Sequence, residues 1–271
     1  MILSADNMVT YYYALAIEYY GKAYCGWQKQ AHCTSLQGML EQALSQIANQ
    51  SIHTICAGRT DSGVHATGQV VSFATSTKRP LKAWQFGVNA LLPADIKVIA
   101  AYGVDKDFNA RFSALYRRYN YLIYQRKTAS ALLLGHSTWL PYTLDIDAMN
   151  QACQYLLGEQ DFSAFRSSQC QSQSTHRNIH HAFFKRNGNY IVFDIQANAF
   201  LHHMVRNIVG TLIEVGTGKQ SPLWIESLLQ QNDRKKAGKT SPAEGLYLVG
   251  VGYPEKYKVF ANNLIWPSVS S

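Results

Sequence analysis

Ile52-His53-Thr54-Ile55-Cys56-Ala57-Gly58-Arg59-Thr60-Asp61-Ser62-Gly63-Val64-His65 is the segment around which the rest of this chain can be ordered. Its apolar start, Ile52 to Ala57, reads as a buried strand, and a second strand is expected at Gln69 to Ala74. Between them a Gly-rich loop holds one acid, Asp61, with Arg59 and His65 close by in sequence. Strand ends feeding such loops are where scaffolds hold reactive groups rigidly while leaving them accessible. The plainer reading of Asp61 is a turn residue capping its own loop. Taken alone, the acid favours that reading; its surroundings reverse the balance.

Working outward, Val9 to Tyr20 reads as a strand and Ser35 to Asn49 as a helix. Thr34 and Gln37 have the spacing of a capping box. Downstream, Leu81 to Leu92 reads as a helix stopped by Pro93, and Ile96 to Val104 as a strand. The order is β-α-β-β-α-β, and the second half repeats it. Tyr116 to Tyr124 is a strand, and Ile146 to Leu157 a helix with Gly158 as its stop. His180 to Lys185 and Tyr190 to Ala197 form a hairpin around Asn187-Gly188. Phe200 to Val215 and Leu223 to Gln230 follow as helices, then Leu246 to Tyr253 as the last strand. We therefore expect an α+β fold of two ferredoxin-like halves (split β-α-β), residues 1–107 and 108–271. Each half would carry an antiparallel sheet with helices on one side, and a basic cleft would lie between them. Arg234 to Ala243 reads as a mobile loop.

The 271 residues hold 25 Lys and Arg against 17 Asp and Glu, a formal charge of +8. That excess suits a polyanionic partner through phosphate neutralisation and counterion release. The cations stand in small groups, Lys78-Arg79, Arg117-Arg118, Arg126-Lys127, Lys185-Arg186 and Arg234-Lys235-Lys236, so a folded surface must assemble them. Seventeen Tyr and five Trp offer stacking faces for unpaired bases, though most should serve packing. The five cysteines are an odd number without a Cys-x-x-Cys pair, which argues against a disulfide framework and a zinc ribbon. No apolar run approaches the ~20 residues of a membrane span, and the N-terminus lacks a secretory pattern. A cytoplasmic address is expected.

Two further groups of residues stand beside Asp61. On the strand Arg117 to Tyr124, period-two geometry puts Arg117, Tyr119, Tyr121 and Ile123 on one face. Tyr119 and Tyr121 are candidates for stacking on a base or orienting an acid, and cross-strand packing is the alternative. On the helix after Phe200, His203, Arg206, Asn207 and Gly210 share a stripe, from which Arg206 can reach a carboxylate on a neighbouring element. A metal is not expected, because His202-His203 and the other histidines lack a His-x-x-x-His helix with a partnering acid. A nucleophile elbow, a phosphate loop and a dinucleotide fingerprint are missing from the sequence. Any chemistry is then cofactor-free and centred on a carboxylate.

These residues together closely resemble the tRNA pseudouridine synthases of the TruA family. The matching segments are Tyr20 to Gln28, Ala57 to His65, Phe108 to Phe112, Arg118 to Tyr121, Asp161 to Arg166, His202 to Asn207, and Glu244 to Tyr247. The likeness runs from about residue 12 to about residue 254. Ser62 departs from the Ala that many relatives carry after the aspartate.

The resemblance implies an isomerase that converts uridines at positions 38, 39 and 40 of the tRNA anticodon arm. Asp61 would be its catalytic aspartate, Tyr119 would stack on the target base and help move a proton, and Arg206 would pair with Asp61. Arg59 would help displace the target nucleotide, which must leave its stack before a carboxylate can approach it. Candidates for RNA contact are Lys78, Arg79, Phe108, Asn109, Ala110, Arg111, Phe112, Arg126, Lys127, Gln169, Cys170, Gln171, Ser172 and Gln173. The resemblance also implies a homodimer that pools the basic surface of two subunits. A non-catalytic RNA-binding module and a metal-dependent RNA hydrolase are the rival readings.

Overall fold

Alternation and capping explain most of the elements in the computed structural model, which describes residues 9–259 and the backbone of Ala261–Asn262. The expectation about an N-terminal signal falls on residues outside that range. In chain order the elements are β1 (Tyr11–Tyr19), α1 (Leu36–Ala48), β2 (Ile55–Cys56), β3 (His65–Thr75), α2 (Val88–Leu91), β4 (Ile96–Gly103), β5 (Tyr116–Gln125) and β6 (Thr138–Leu140). There follow α3 (Ile146–Gln154), β7 (Gly158–Asp161), β8 (His176–Asn187), β9 (Tyr190–Ala197), α4 (Met204–Gly216), α5 (Trp224–Gln231), β10 (Leu246–Gly252) and β11 (Ala261–Asn262).

The fold is α+β. Where two separate sheets were expected, the strands form one, in the order β4-β1-β3-β10-β5-β9-β8-β7. β2 lies against β3, β6 against β5 and β11 against β10. A short parallel ladder, Tyr247 opposite His65 and Leu248 opposite Ala66, joins β10 to β3. The helices and one face of the sheet share the main core, which takes Tyr121 and Ile123 of β5 and Leu246 and Leu248 of β10. The alternate residues Leu122, Tyr247 and Val249 form a small apolar cluster on the other face with Tyr190 and Val192 packed against it.

Several boundaries differ from the sequence reading. Ser35, not Thr34, caps α1, its hydroxyl accepting from the Gly38 amide at 3.3 Å. Gln37 is instead turned back to the Lys29 amide and the buried Glu41. The expected strand at Ile52 shrinks to two residues, and β3 begins at His65, straight after the Asp61 loop. A π-helical turn, Ala83–Gly87, occupies most of the helix expected from Leu81. Gly158 opens β7 at φ 84° instead of merely stopping α3. The β8–β9 turn is Gly188-Asn189, one residue later than expected, because Asn187 still pairs with Tyr190. The helix expected from Phe200 starts at Met204, since His203 takes a left-handed conformation with φ 61°. The cysteine count argues against a disulfide framework, yet Cys25 and Cys33 are bridged; Cys56, Cys153 and Cys170 are free and buried. No helix among the described residues is long and apolar enough to cross a membrane.

Arg234 to Ala243, expected to be mobile, is a tethered strap. Asp233 caps its first turn, and Arg234 donates to the Gly238 carbonyl at 2.9 Å and to Asn207 Oδ1 on α4 at 3.0 Å. Thr240 donates to the same Asn207 oxygen at 2.6 Å.

The junction of β3 and β10 is reinforced by aromatic rings. His65 stacks on Tyr20 at 4.8 Å and lies 4.7 Å from the Tyr247 ring, and His136 covers Tyr20 at 4.4 Å. His65 Nδ1 accepts from the Gly21 amide at 3.0 Å, so Nε2–H is the nitrogen that donates to the Gly135 carbonyl at 3.0 Å. Burial pushes this imidazole down to about 4, with the Gly135 bond pulling the other way. The unfolded chain takes up a proton below about 6.5 that the folded chain refuses, so stability falls as pH drops from there towards 4 and then levels off. Urea unfolding across that window should lose about 3 kcal/mol, and a His65→Gln variant should lose distinctly less.

Candidate active site

The Asp61 loop is held from four sides before its carboxylate is considered. Gln69, fully buried on β3, clasps Gly58 by both groups, donating to its carbonyl at 2.6 Å and accepting from its amide at 3.3 Å. Arg117 Nε donates to the Ala57 carbonyl at 3.1 Å. The Tyr19 hydroxyl and Thr60 Oγ1 meet at 2.8 Å, and the Trp27 amide donates to the Thr60 carbonyl at 2.9 Å. Ser62 donates to the Tyr24 carbonyl at 3.1 Å, which ties the loop to the segment bridged by Cys25 and Cys33. With its neighbours so fixed, Asp61 keeps 21% of its side chain exposed. Its position is set by the scaffold, which is what accessible chemistry requires.

The end of α4 faces that carboxylate. Arg206 Nη1 lies 3.3 Å from Asp61 Oδ2, while its Nε donates to the Ser241 carbonyl of the strap at 2.8 Å. His202 Nε2 is 3.2 Å from Oδ1 and His203 Nε2 is 3.4 Å from Oδ2. The left-handed turn at His203 brings both rings to the same acid, with centroids 4.0 Å apart. Burial lowers the His203 imidazole, overcoming the opposite pull of Asp61, and His202 and Arg206 push the same way as burial. His202 Nδ1 is buried without a partner, so a second ring proton there would be an unsatisfied donor. Both imidazoles and the Arg206 guanidinium thus stand within ion-pair distance of the one carboxylate.

Tyr119 is buried, its ring set edge-on against Phe200 at 5.1 Å. Desolvation first, and the charge of Asp61 second, push its phenol well above the usual range. A phenol so placed keeps its proton at neutral pH. Tyr121 is a core residue bonded to Thr138 and to the Pro242 carbonyl, which settles its role as packing.

The other candidates divide by location. Arg59 is exposed on the Asp61 loop, and Arg59, Arg111 and Arg117 all act on the buried Cys56 thiol, placing three cations beside the loop. Gln169, Gln171, Ser172 and Gln173 lie on a loop tied to the His202 turn, through the Ser167 amide to the His202 carbonyl at 3.1 Å and Arg166 to the Cys170 carbonyl at 2.7 Å. Lys78, Arg79, Arg126 and Lys127 are exposed elsewhere. Because β3 spans eleven residues, Lys78-Arg79 stand roughly 30 Å from Asp61 along the strand.

Three candidates are not surface residues: Phe108, Ala110 and Cys170 are 6%, 0% and 8% exposed. Phe108 packs on Tyr253 and Tyr257, and the Ala110 amide donates to Ser72. Asn109 caps the turn by accepting from the amides of Arg111 and Phe112, leaving the latter two to project. The sequence reading missed Gln69 and the contact of both histidines with Asp61. An amide at a buried strand position and a paired His before a helix were the available signals.

Residues 15–113 and 152–254 match the profile of a family described as tRNA pseudouridine synthase. Proteins described as tRNA pseudouridine synthase A from Francisella tularensis subsp. tularensis and Francisella philomiragia subsp. philomiragia are 59% and 56% identical over 243 residues, 90% of this chain and 94% of each relative. Among solved structures, one described as a Cbf5-Nop10-Gar1 complex shows a TM-score of 0.35 at 10% identity, covering 74% of this chain and 45% of that chain. A likeness that distant adds nothing to the reading.

Gly210 is what lets the strap lie against α4: a Cβ there would stand 1.7 Å from the Lys239 carbonyl oxygen. Gly210→Ala should lift the strap, cost about 1–3 kcal/mol in denaturant unfolding, and open Arg234-Lys235-Lys236 to limited trypsin cleavage.

Proposed function

The chain belongs to the tRNA pseudouridine synthase family, and from that premise we propose that Asp61, Tyr119 and Arg206 carry out the isomerisation of uridine in tRNA. Its substrates are uridines at positions 38, 39 and 40 of the anticodon arm. The reaction breaks the N1–C1′ bond, turns the uracil and joins C5 to C1′; C5 loses a proton and N1 gains one. No group is added or removed, so a carboxylate and a proton carrier suffice.

The observation that carries this reading is the approach of Arg206 to Asp61, 3.3 Å apart although 145 residues separate them in sequence. A guanidinium anchored on Ser241 fixes one carboxylate oxygen, and the loop bonds fix the other end of the residue. The neighbouring phenol of Tyr119 holds a proton in a water-poor site, where it can serve the migrating base. Arg59 and Arg111, exposed beside the loop, hold the RNA backbone while the target nucleotide is everted. Lys78-Arg79 and Lys127 meet phosphates further along the arm, and Gln169 to Gln173 border the site through their tie to His202.

We read the chain as two halves, residues 1–107 and 108–271. The strand orders β4-β1-β3 with β2, and β10-β5-β9-β8, support a split β-α-β unit in each. A homodimer in the cytoplasm, in which two basic surfaces grip one tRNA, completes the proposal.

Incubation of an unmodified tRNA transcript with the purified chain and no added cofactor should yield pseudouridine at those positions. Asp61→Asn should abolish product, a fall of about 10³-fold or more, while tRNA binding in a filter assay stays near wild type. Retention of normal turnover by that variant would overturn the assignment of Asp61. Tyr119→Phe should lower kcat about 10–100-fold with little change in affinity; an unchanged rate would restrict Tyr119 to stacking.

A further inference from the structure

The two imidazoles beside Asp61 have a use that uridine isomerisation does not demand. One ligand atom from each of Asp61, His202 and His203 can be chosen so that all three lie within 4.8 Å of one another. A tetrahedral zinc at 2.0–2.1 Å holds its ligands about 3.3 Å apart. His202 Nε2 already stands 3.2 Å from Oδ1 and His203 Nε2 3.4 Å from Oδ2, both close to that spacing. Two imidazoles and one carboxylate suit a borderline cation, whereas Mg²⁺ and Ca²⁺ prefer all-oxygen shells. The side chains of Asp61, His202 and His203 keep 21%, 33% and 29% of their surface, so solvent can fill a fourth position.

We propose that Asp61, His202 and His203 form a binding site for Zn²⁺ or a like cation, and that the metal blocks the carboxylate instead of assisting it. Two features set its strength. Arg206 Nη1, 3.3 Å from Oδ2, repels a dication on that side and leaves Oδ1 as the ligating oxygen. A metal on His202 Nε2 moves the ring proton to Nδ1, which is buried without an acceptor. Loss of such a supporting partner weakens a site by about 10–100-fold, which favours a reversible site over a permanently filled one. The cation is thus a competitor of the nucleotide for Asp61. Binding itself does not rest on the synthase reading; only the inhibition does.

The test uses the full chain stripped of metal by a chelator and dialysed. Co²⁺ titration followed by visible absorption, and Zn²⁺ titration by calorimetry, should each show saturable uptake of one cation per chain, with a tetrahedral cobalt spectrum. His202→Gln and His203→Gln should each weaken binding by roughly tenfold or more while circular dichroism stays native. On the wild-type chain, Zn²⁺ should shield His202 and His203 from carbethoxylation mapped by mass spectrometry, a readout that needs no variant. Turnover on tRNA should fall as the site fills and return with EDTA. Absence of saturable uptake, uptake unaltered in both variants, unshielded histidines, or turnover that rises with Zn²⁺ would each overturn the proposal. Binding with those properties in a chain that makes no pseudouridine would leave the site standing and remove the function instead.

Discussion

Two rungs of parallel pairing, His65 with Tyr247 and Ala66 with Leu248, decide whether this chain has a site at all. Asp61 stands four residues before His65, so the ladder fixes where the acid loop meets β10. β10 is also paired with β5, which carries Tyr119, so the same two rungs set the phenol relative to the acid. Two rungs are weak alone, and a one-residue slip would turn every side chain to the wrong face. The ring stack of Tyr20, His65, His136 and Tyr247 opposes that slip, because His65 also answers the Gly21 amide and the Gly135 carbonyl. Register, packing and hydrogen bonding agree at this seam, and function depends on their agreement.

The surroundings of Asp61 show how little of a side chain's setting is its own. Asp61 makes its contacts with Arg206, His202 and His203, yet its place comes from Gln69, Arg117 and Trp27, which grip backbone nearby, and from Tyr19, which holds the Thr60 hydroxyl. Arg206 is aimed by Ser241, and Ser241 is held by a strap that Arg234 and Thr240 tie to Asn207. The supporting groups are amides (Gln69, Asn207, the Trp27 backbone), hydroxyls (Tyr19, Thr240) and guanidiniums (Arg117, Arg234). Together they hold the loop backbone while the carboxylate keeps part of its surface.

Much of this was legible in the sequence, for reasons that differ by residue. Asp61 stood out because a lone acid followed an apolar run in a Gly-rich turn, and the helical stripe drew attention to Arg206, which lies 3.3 Å from that acid. The reading failed where a single backbone angle governs the outcome. Nothing in Phe200 to Val215 announces that His203 adopts φ 61°, so the helix start was misplaced and the contact of both histidines with Asp61 was hidden. Phe108 and Ala110 sit in a motif beside exposed Arg111 and Phe112, and only packing distinguishes core from surface there. One sheet in place of two escaped notice because the joining ladder is too short to leave a periodic trace.

The strap and α4 meet where neither side has a side chain to yield. A Cβ on Gly210 would strike the Lys239 carbonyl, and a Cβ on Gly238 would lie 2.7 Å from the Gly210 oxygen. Both obstacles are main chain, so no compensating substitution on the opposite strand of the chain can relieve either one. During divergence each position should therefore stay glycine on its own account. Length changes in this connection should accumulate before Arg234, and not between Gly238 and Ser241.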